Sequence, residues 1–281
     1  MPTFDTPAPI DLAVNLQVGD VEVVATDRAD TVVTVSPTSP AKAADQRAAD
    51  AVRVEFDGAR LTVVGPKPKF TLFGPSESVD LRIELPTGSR FTAEVAVGGT
   101  RASGRLGATR IKNSTGPVEL ADTGDLWLRA GHGNATIGRV DGSAEVTADH
   151  GQIRAATITG DARLKASHGS VRVEETGGGV EANLSYGDLD IDRALGSVTA
   201  KTAYGAITLR EVSAGAIELE SGYGQVTVGV LAGTPAWLDL SSKEGRVRNE
   251  LDGDAAPADI ENSVTVTART KYGDIDIRRA R

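Results

Sequence analysis

One feature limits this chain more than any other: a dipeptide that returns at a fixed interval. His132-Gly133, His150-Gly151, His168-Gly169, Tyr186-Gly187 and Tyr204-Gly205 succeed one another every 18 residues. Tyr223-Gly224 follows at 19, Glu244-Gly245 at 21 and Tyr272-Gly273 at 28, while Thr115-Gly116 precedes the first by 17. All 3 His and all 4 Tyr of the chain occupy this one position. A fixed period of about 20 residues marks a repeat architecture, in which each repeat is too small to bury its own apolar face.

Within each repeat the apolar residues alternate. Val171/Val173, Leu189/Ile191, Ile207/Leu209 and Val226/Val228 lie two and four residues after their Gly. Leu126/Leu128/Ala130, Ala144/Val146/Ala148 and Ala162/Leu164/Ala166 lie before it. Period-two alternation describes a strand with one buried face. Gly supplies the positive φ of a tight bend. Each repeat therefore reads as strand, Gly turn, strand, loose corner. Stacking such repeats at about 4.8 Å per layer builds a continuous core. The fold predicted is all-β: a single-stranded β-helix (β-solenoid) of roughly 18-residue coils. A β-propeller is the competing architecture, but its blades need about 40 residues each.

The first hundred residues follow the pattern less closely. IDLAVNL, GDVEVVA and DTVVTVSP are strand-like, and Gly19 is followed by Val21 and Val23 as in the later turns. Residues 40–51 are Ala-rich and predict a short surface helix. Asp57-Gly58 signals a hairpin. The chain divides on this reading into irregular N-terminal β layers or a cap over 1–100, and a regular solenoid over 101–281 interrupted by an acidic insertion at 250–262. A cap is needed because an open stack exposes unpaired strand edges.

Composition narrows the function. The 281 residues include no Cys, which excludes disulfides, thiolate metal sites and cysteine catalysis. The net charge of -9 argues against nucleic acid or an anionic membrane as partner. No stretch is long and apolar enough for membrane insertion, and MPTFDTPAPIDLAV lacks the basic start and apolar run of a signal peptide. A cytoplasmic location is expected.

FDTPAPIDLAVNLQVGDVEVVATDRADTVVTVSP, the 18-residue repeats, AWLDLSSKEGRVRNEL and TARTKYGDIDIRRAR together resemble a family of bacterial β-strand-repeat proteins. That family is a domain of unknown function whose members are often labelled "putative adhesin". The resemblance covers essentially the whole chain and implies a β-helix of short strands, with no established catalytic residues. The N-terminus shows no export signal, so the sequence itself lends no support to surface adhesion.

The candidate surface is the repeat position itself. In a regular stack His132, His150, His168, Tyr186, Tyr204, Tyr223 and Tyr272 form a ladder of rings. A metal stripe is the alternative for the three His, but zinc needs ligands that converge on one point and a parallel ladder does not converge. Neither a metal nor a cofactor is expected. Asp188, Asp190, Asp192, Asp274 and Asp276 share the outer face, where charged residues are normally found. Trp127 and Trp237 fall out of phase with the buried positions, and Phe70 and Phe73 lie in a Pro-containing loop; these are candidate aromatic contacts. No Walker loop, Gly-x-Ser-x-Gly or His-Glu-x-x-His occurs. The reading is a non-enzymatic scaffold or interaction module that engages an unknown protein partner or its own copies. A carbohydrate-binding or polysaccharide-acting β-helix is the alternative.

Overall fold

A computed structural model describes residues 1–67, 70–71, 74–75, 77–251 and 263–280. Most of the acidic insertion, residues 252–262, lies outside the described residues. The chain is a β-solenoid, and it divides into two compact units, Met1–Gly138 and Arg139–Arg281.

The second unit shows how one coil works. Strand Ala144–His150 runs to the turn at Gly151, strand Ile153–Ile158 follows, and a corner leads to the next coil at Ala162–His168. Successive coils pair in parallel and in register, so that Val146 lies on Leu164, Leu164 on Ala182 and Ala182 on Ala200. The alternation read from the sequence is the alternation of burial: Val171, Val173, Ile191, Ile207 and Leu209 are fully buried, while the residues between them reach the surface. Val140, Ile158, Thr176, Ala194 and Val212, each seven residues after its Gly, are also buried.

The turn glycine is demanded twice. Gly169, Gly187 and Gly205 have φ of 145°, 151° and 152°. In addition, a methyl group placed on any of them would overlap the carbonyl oxygen of the turn glycine in the layer below. Gly stacks on Gly because neither the bend nor the layer spacing admits a side chain.

The Asp that follows several of these turns then ties layers together. Asp188 accepts the backbone N–H of Ala206 at 2.8 Å, and Asp274 accepts that of Arg246 at 2.8 Å. In the first unit, Asp20 accepts from Gly99 at 2.7 Å. On the inner side of the same turns, the hydroxyls of Thr202, Ser221 and Thr270 donate to the carbonyls of Gly187, Gly205 and Gly224. These three buried hydroxyls are thereby satisfied without leaving the coil pattern.

Layer order departs from chain order in both units. In the second, strand Gly215–Tyr223 pairs with Val264–Tyr272, and Val264–Tyr272 in turn pairs with Ala236–Glu244. Residues 264–279 are therefore interposed, and the earlier segment 236–249 forms the outermost layer. This corrects the simplest expectation from the repeat, that each coil follows its predecessor. Arg279 clamps the crossing segment by donating to the carbonyls of Leu231 and Thr234 at 3.2 and 3.0 Å.

The first unit repeats the device. The coil of Asp11–Val18 and Val21–Thr26 sits between the layer of Arg60–Val64 and Val79–Pro86 and the layer of Arg90–Val97 and Thr100–Arg105. Outside it, Asp30–Pro37 pairs antiparallel with Val79–Pro86, and Arg53–Phe56 pairs antiparallel with Arg60–Val64 across the expected hairpin. The expected helix spans Ala43–Asp50. It is pinned by the buried carboxylate of Asp45, which accepts the backbone N–H groups of Ser39 and Ser78 at 3.2 and 3.1 Å.

Candidate functional site

The repeat position ends a strand in every coil, so in-register pairing carries its side chains into line. His150 lies beside His168, then Tyr186, Tyr204, Tyr223 and Tyr272 follow on neighbouring strands. Ring centroids are 4.8, 5.2, 5.0, 4.9 and 4.7 Å apart in that order, and the planes are within 14° of parallel. The backbone beneath is equally regular: the turn N–H groups of Gly169, Gly187, Gly205 and Gly224 donate to the carbonyls of Tyr186, Tyr204, Tyr223 and Tyr272, each at 2.9 Å. His132 ends strand Leu126–His132 in the first unit, in register with Thr115.

The four Tyr remain 46–51% exposed. Face-to-face packing at this spacing covers the inner rings on both sides. What reaches solvent is a line of ring edges and phenol hydroxyls. Aromatic pairs contribute roughly 0.5–1.5 kcal/mol beyond burial, and these exposed ones fall at the lower end. Three residues back along each strand runs a parallel row of Lys165, Asn183, Lys201, Glu220 and Arg269.

The column holds a residue order that the spacing alone does not reveal. Glu244 occupies the repeat position between Tyr223 and Tyr272 in the chain, but the interposed layer brings Tyr272 directly onto Tyr223 and leaves Glu244 outside. The signal was present in the sequence as an aromatic series broken once and then resumed.

The other candidates are scattered. Trp127 is half-buried, with the guanidinium carbon of Arg110 3.7 Å from its ring centroid, so a cation occupies one face. Trp237 is 70% exposed on the outermost strand of the second unit. Phe70 begins a two-residue strand paired with Gly74–Pro75, and Phe73 lies outside the described residues.

The acidic face is a network of ion pairs. Asp190 and Asp192 lie between Arg172 and Arg210, with the Arg210–Asp192 pair at 2.7 Å. The hydrogen bond from Arg210 to Asp192, with Asp190 beside it, holds Arg210 more firmly protonated than a free guanidinium. Among the described residues no group of three or more His, Asp or Glu side chains is arranged to hold a metal ion.

The chain is similar to several solved structures of low sequence identity. A "putative adhesin" from Bacteroides fragilis is 12% identical, with a TM-score of 0.40 over 98% of this chain and 95% of that one. A "putative adhesin" from Parabacteroides merdae is 11% identical, with a TM-score of 0.41 over the same shares. A "putative lipid binding protein" from Parabacteroides distasonis is 12% identical, with a TM-score of 0.34 over 100% of this chain and 96% of that one. No curated protein matches the chain. Residues 10–278 match the Toastrack DUF4097 family from nearly one end of the chain to the other, and the protein belongs to that family.

Proposed function

We propose that this protein is a non-enzymatic interaction module and that its His/Tyr column is the surface that meets a protein partner. One observation carries the reading. Four Tyr are held half-exposed in a single line by packing on one another, with no competing role in the core. Tyr is favoured at protein interfaces because it offers apolar area and a hydroxyl on one stiff side chain. Rings already fixed by their neighbours lose little rotamer freedom on binding. A carbohydrate would instead need open ring faces, and the inner members of the column have none to offer.

The test is photo-crosslinking in the cell of origin. Tyr204 or Tyr223 is replaced by p-benzoylphenylalanine, and Glu174, outward on the other sheet, serves as the control position. A discrete adduct from the two column positions that is missing from position 174 supports the reading. Identical adducts from all three positions, or none from the column, overturn it.

A further inference from the structure

We infer that the outermost layer of the second unit, strands Ala236–Glu244 and Val247–Asn249, is a self-association edge that joins two copies of this chain about Leu240. The inference concerns a different surface from the Tyr column, so either can fail alone.

The layer is built like an inner coil, but no described residues cover it. Its inward positions are Ala236, Leu238, Leu240 and Val247, opposite the fully buried Val264, Val266, Ala268 and Ile275 of the layer beneath. In an inner coil such positions are closed off by the next layer. Here Leu238 and Leu240 are only half-buried and Val247 is 46% exposed. Trp237 stands beside them at 70%. Among the described residues, no strand pairs with the outer side of either edge. Two rows of unpaired backbone groups thus flank an apolar floor, a combination that recruits further strands.

A second copy fits this surface best. An extended peptide pairs with one edge and leaves the other bare. An identical end presents two edges with the same separation and a matching floor. The pattern on the longer strand also suits a two-fold contact. Antiparallel pairing about Leu240 sets Leu240 against itself and Leu238 against Ser242. On the outer face it sets Trp237 against Lys243 and Asp239 against Ser241. No like charges oppose one another, and the Trp–Lys pairs bring a cation to each indole. Pairing about Asp239 would place two carboxylates together. On the shorter strand, Arg248 is already accompanied by Asp274 and Asp276. A two-fold contact uses the same patch on both copies, so it closes as a dimer and does not propagate into a filament.

The experiment is light scattering of the full chain after size exclusion at micromolar concentration. Twice the chain mass is expected. Leu240→Lys and Leu240→Glu each place like charges at the two-fold axis and are expected to be monomeric with an unchanged circular dichroism spectrum. Their equimolar mixture is expected to regain the dimer, because the charges then match. A monomeric parent chain overturns the inference, as do dimeric single variants, an unmixed pair or open-ended assemblies. If the parent chain is monomeric and dimerises only when 252–262 is replaced by a Gly-Ser linker, the edge belongs to that segment and the inference falls. Should the variants misfold, dilution of the parent chain still decides: Trp237 emission moves to the red as dimers part, and a constant spectrum overturns the inference.

Discussion

In the first unit the outermost parallel layer is sealed. Thr3–Asp5 and Asp30–Pro37 extend one sheet in the antiparallel sense, and Arg53–Phe56 extends the other. Phe4 from one sheet meets Phe56 from the other at 5.1 Å, and the Asp45 carboxylate locks the short helix alongside. In the second unit the corresponding layer ends in half-exposed leucines. Leu61 at the sealed edge has no exposed surface, whereas Leu240 at the other edge is half-buried. The coil pattern is the same in both. The difference lies in the strands laid outside it: a change of strand direction stops parallel stacking, and continued parallel pairing leaves a free edge.

The sharpest way to break this comparison is to truncate the two leucines. Leu61→Ala is expected to cost about 2–5 kcal/mol, the range for a buried leucine whose surroundings cannot collapse. Leu240→Ala is expected to cost less, about 1–2 kcal/mol, since part of its side chain already meets water. Urea denaturation at a concentration where the chain is monomeric measures both, and equal losses would show that the two edges are equivalent.

A smaller effect is expected from the helix that seals the first unit. Asp45→Ala strips the partners from the Ser39 and Ser78 N–H groups and from Lys42, at about 1–3 kcal/mol. Amide exchange over residues 39–50 is expected to speed up, while strands Ala144–His150 and Ala162–His168 keep their protection.

The smallest effect concerns acid. Arg28, and after it Arg82, hold the Glu84 carboxyl below its usual range. A lowered folded-state pKa stabilises the fold above the ordinary glutamate value, and the contribution is lost as pH falls through the lowered one. Glu84→Gln is expected to be less stable than the parent chain at neutral pH, with the gap closing in acid. Thermal melts at several pH values check this, and a gap that widens in acid would contradict it. The pairs are exposed enough for solvent to screen them, so the difference is small.

Much of this architecture was legible in the residues. Gly recurring every eighteen residues through the central coils, with Val, Ile and Leu alternating around it, left few folds open, and the line of rings followed from register. Two things were not legible. The alternation of Val264, Val266 and Ala268 is that of any other coil, so it cannot say which layer these residues join. Likewise, Gly187 announces its turn through φ, but its second constraint, the carbonyl of Gly169 directly beneath, exists only once the coils are stacked. The half-buried state of Leu240 depends in the same way on what lies over it.

The interposed layers also decide where such a protein can change size. Between residues 144 and 212 each coil rests on its predecessor, so a tandem duplication of eighteen residues adds a rung and disturbs nothing else. Within 11–105 or 215–279 the same duplication would have to thread between strands distant in the chain. The span of the Tyr line can therefore lengthen or shorten over generations while the interposed layers keep their form.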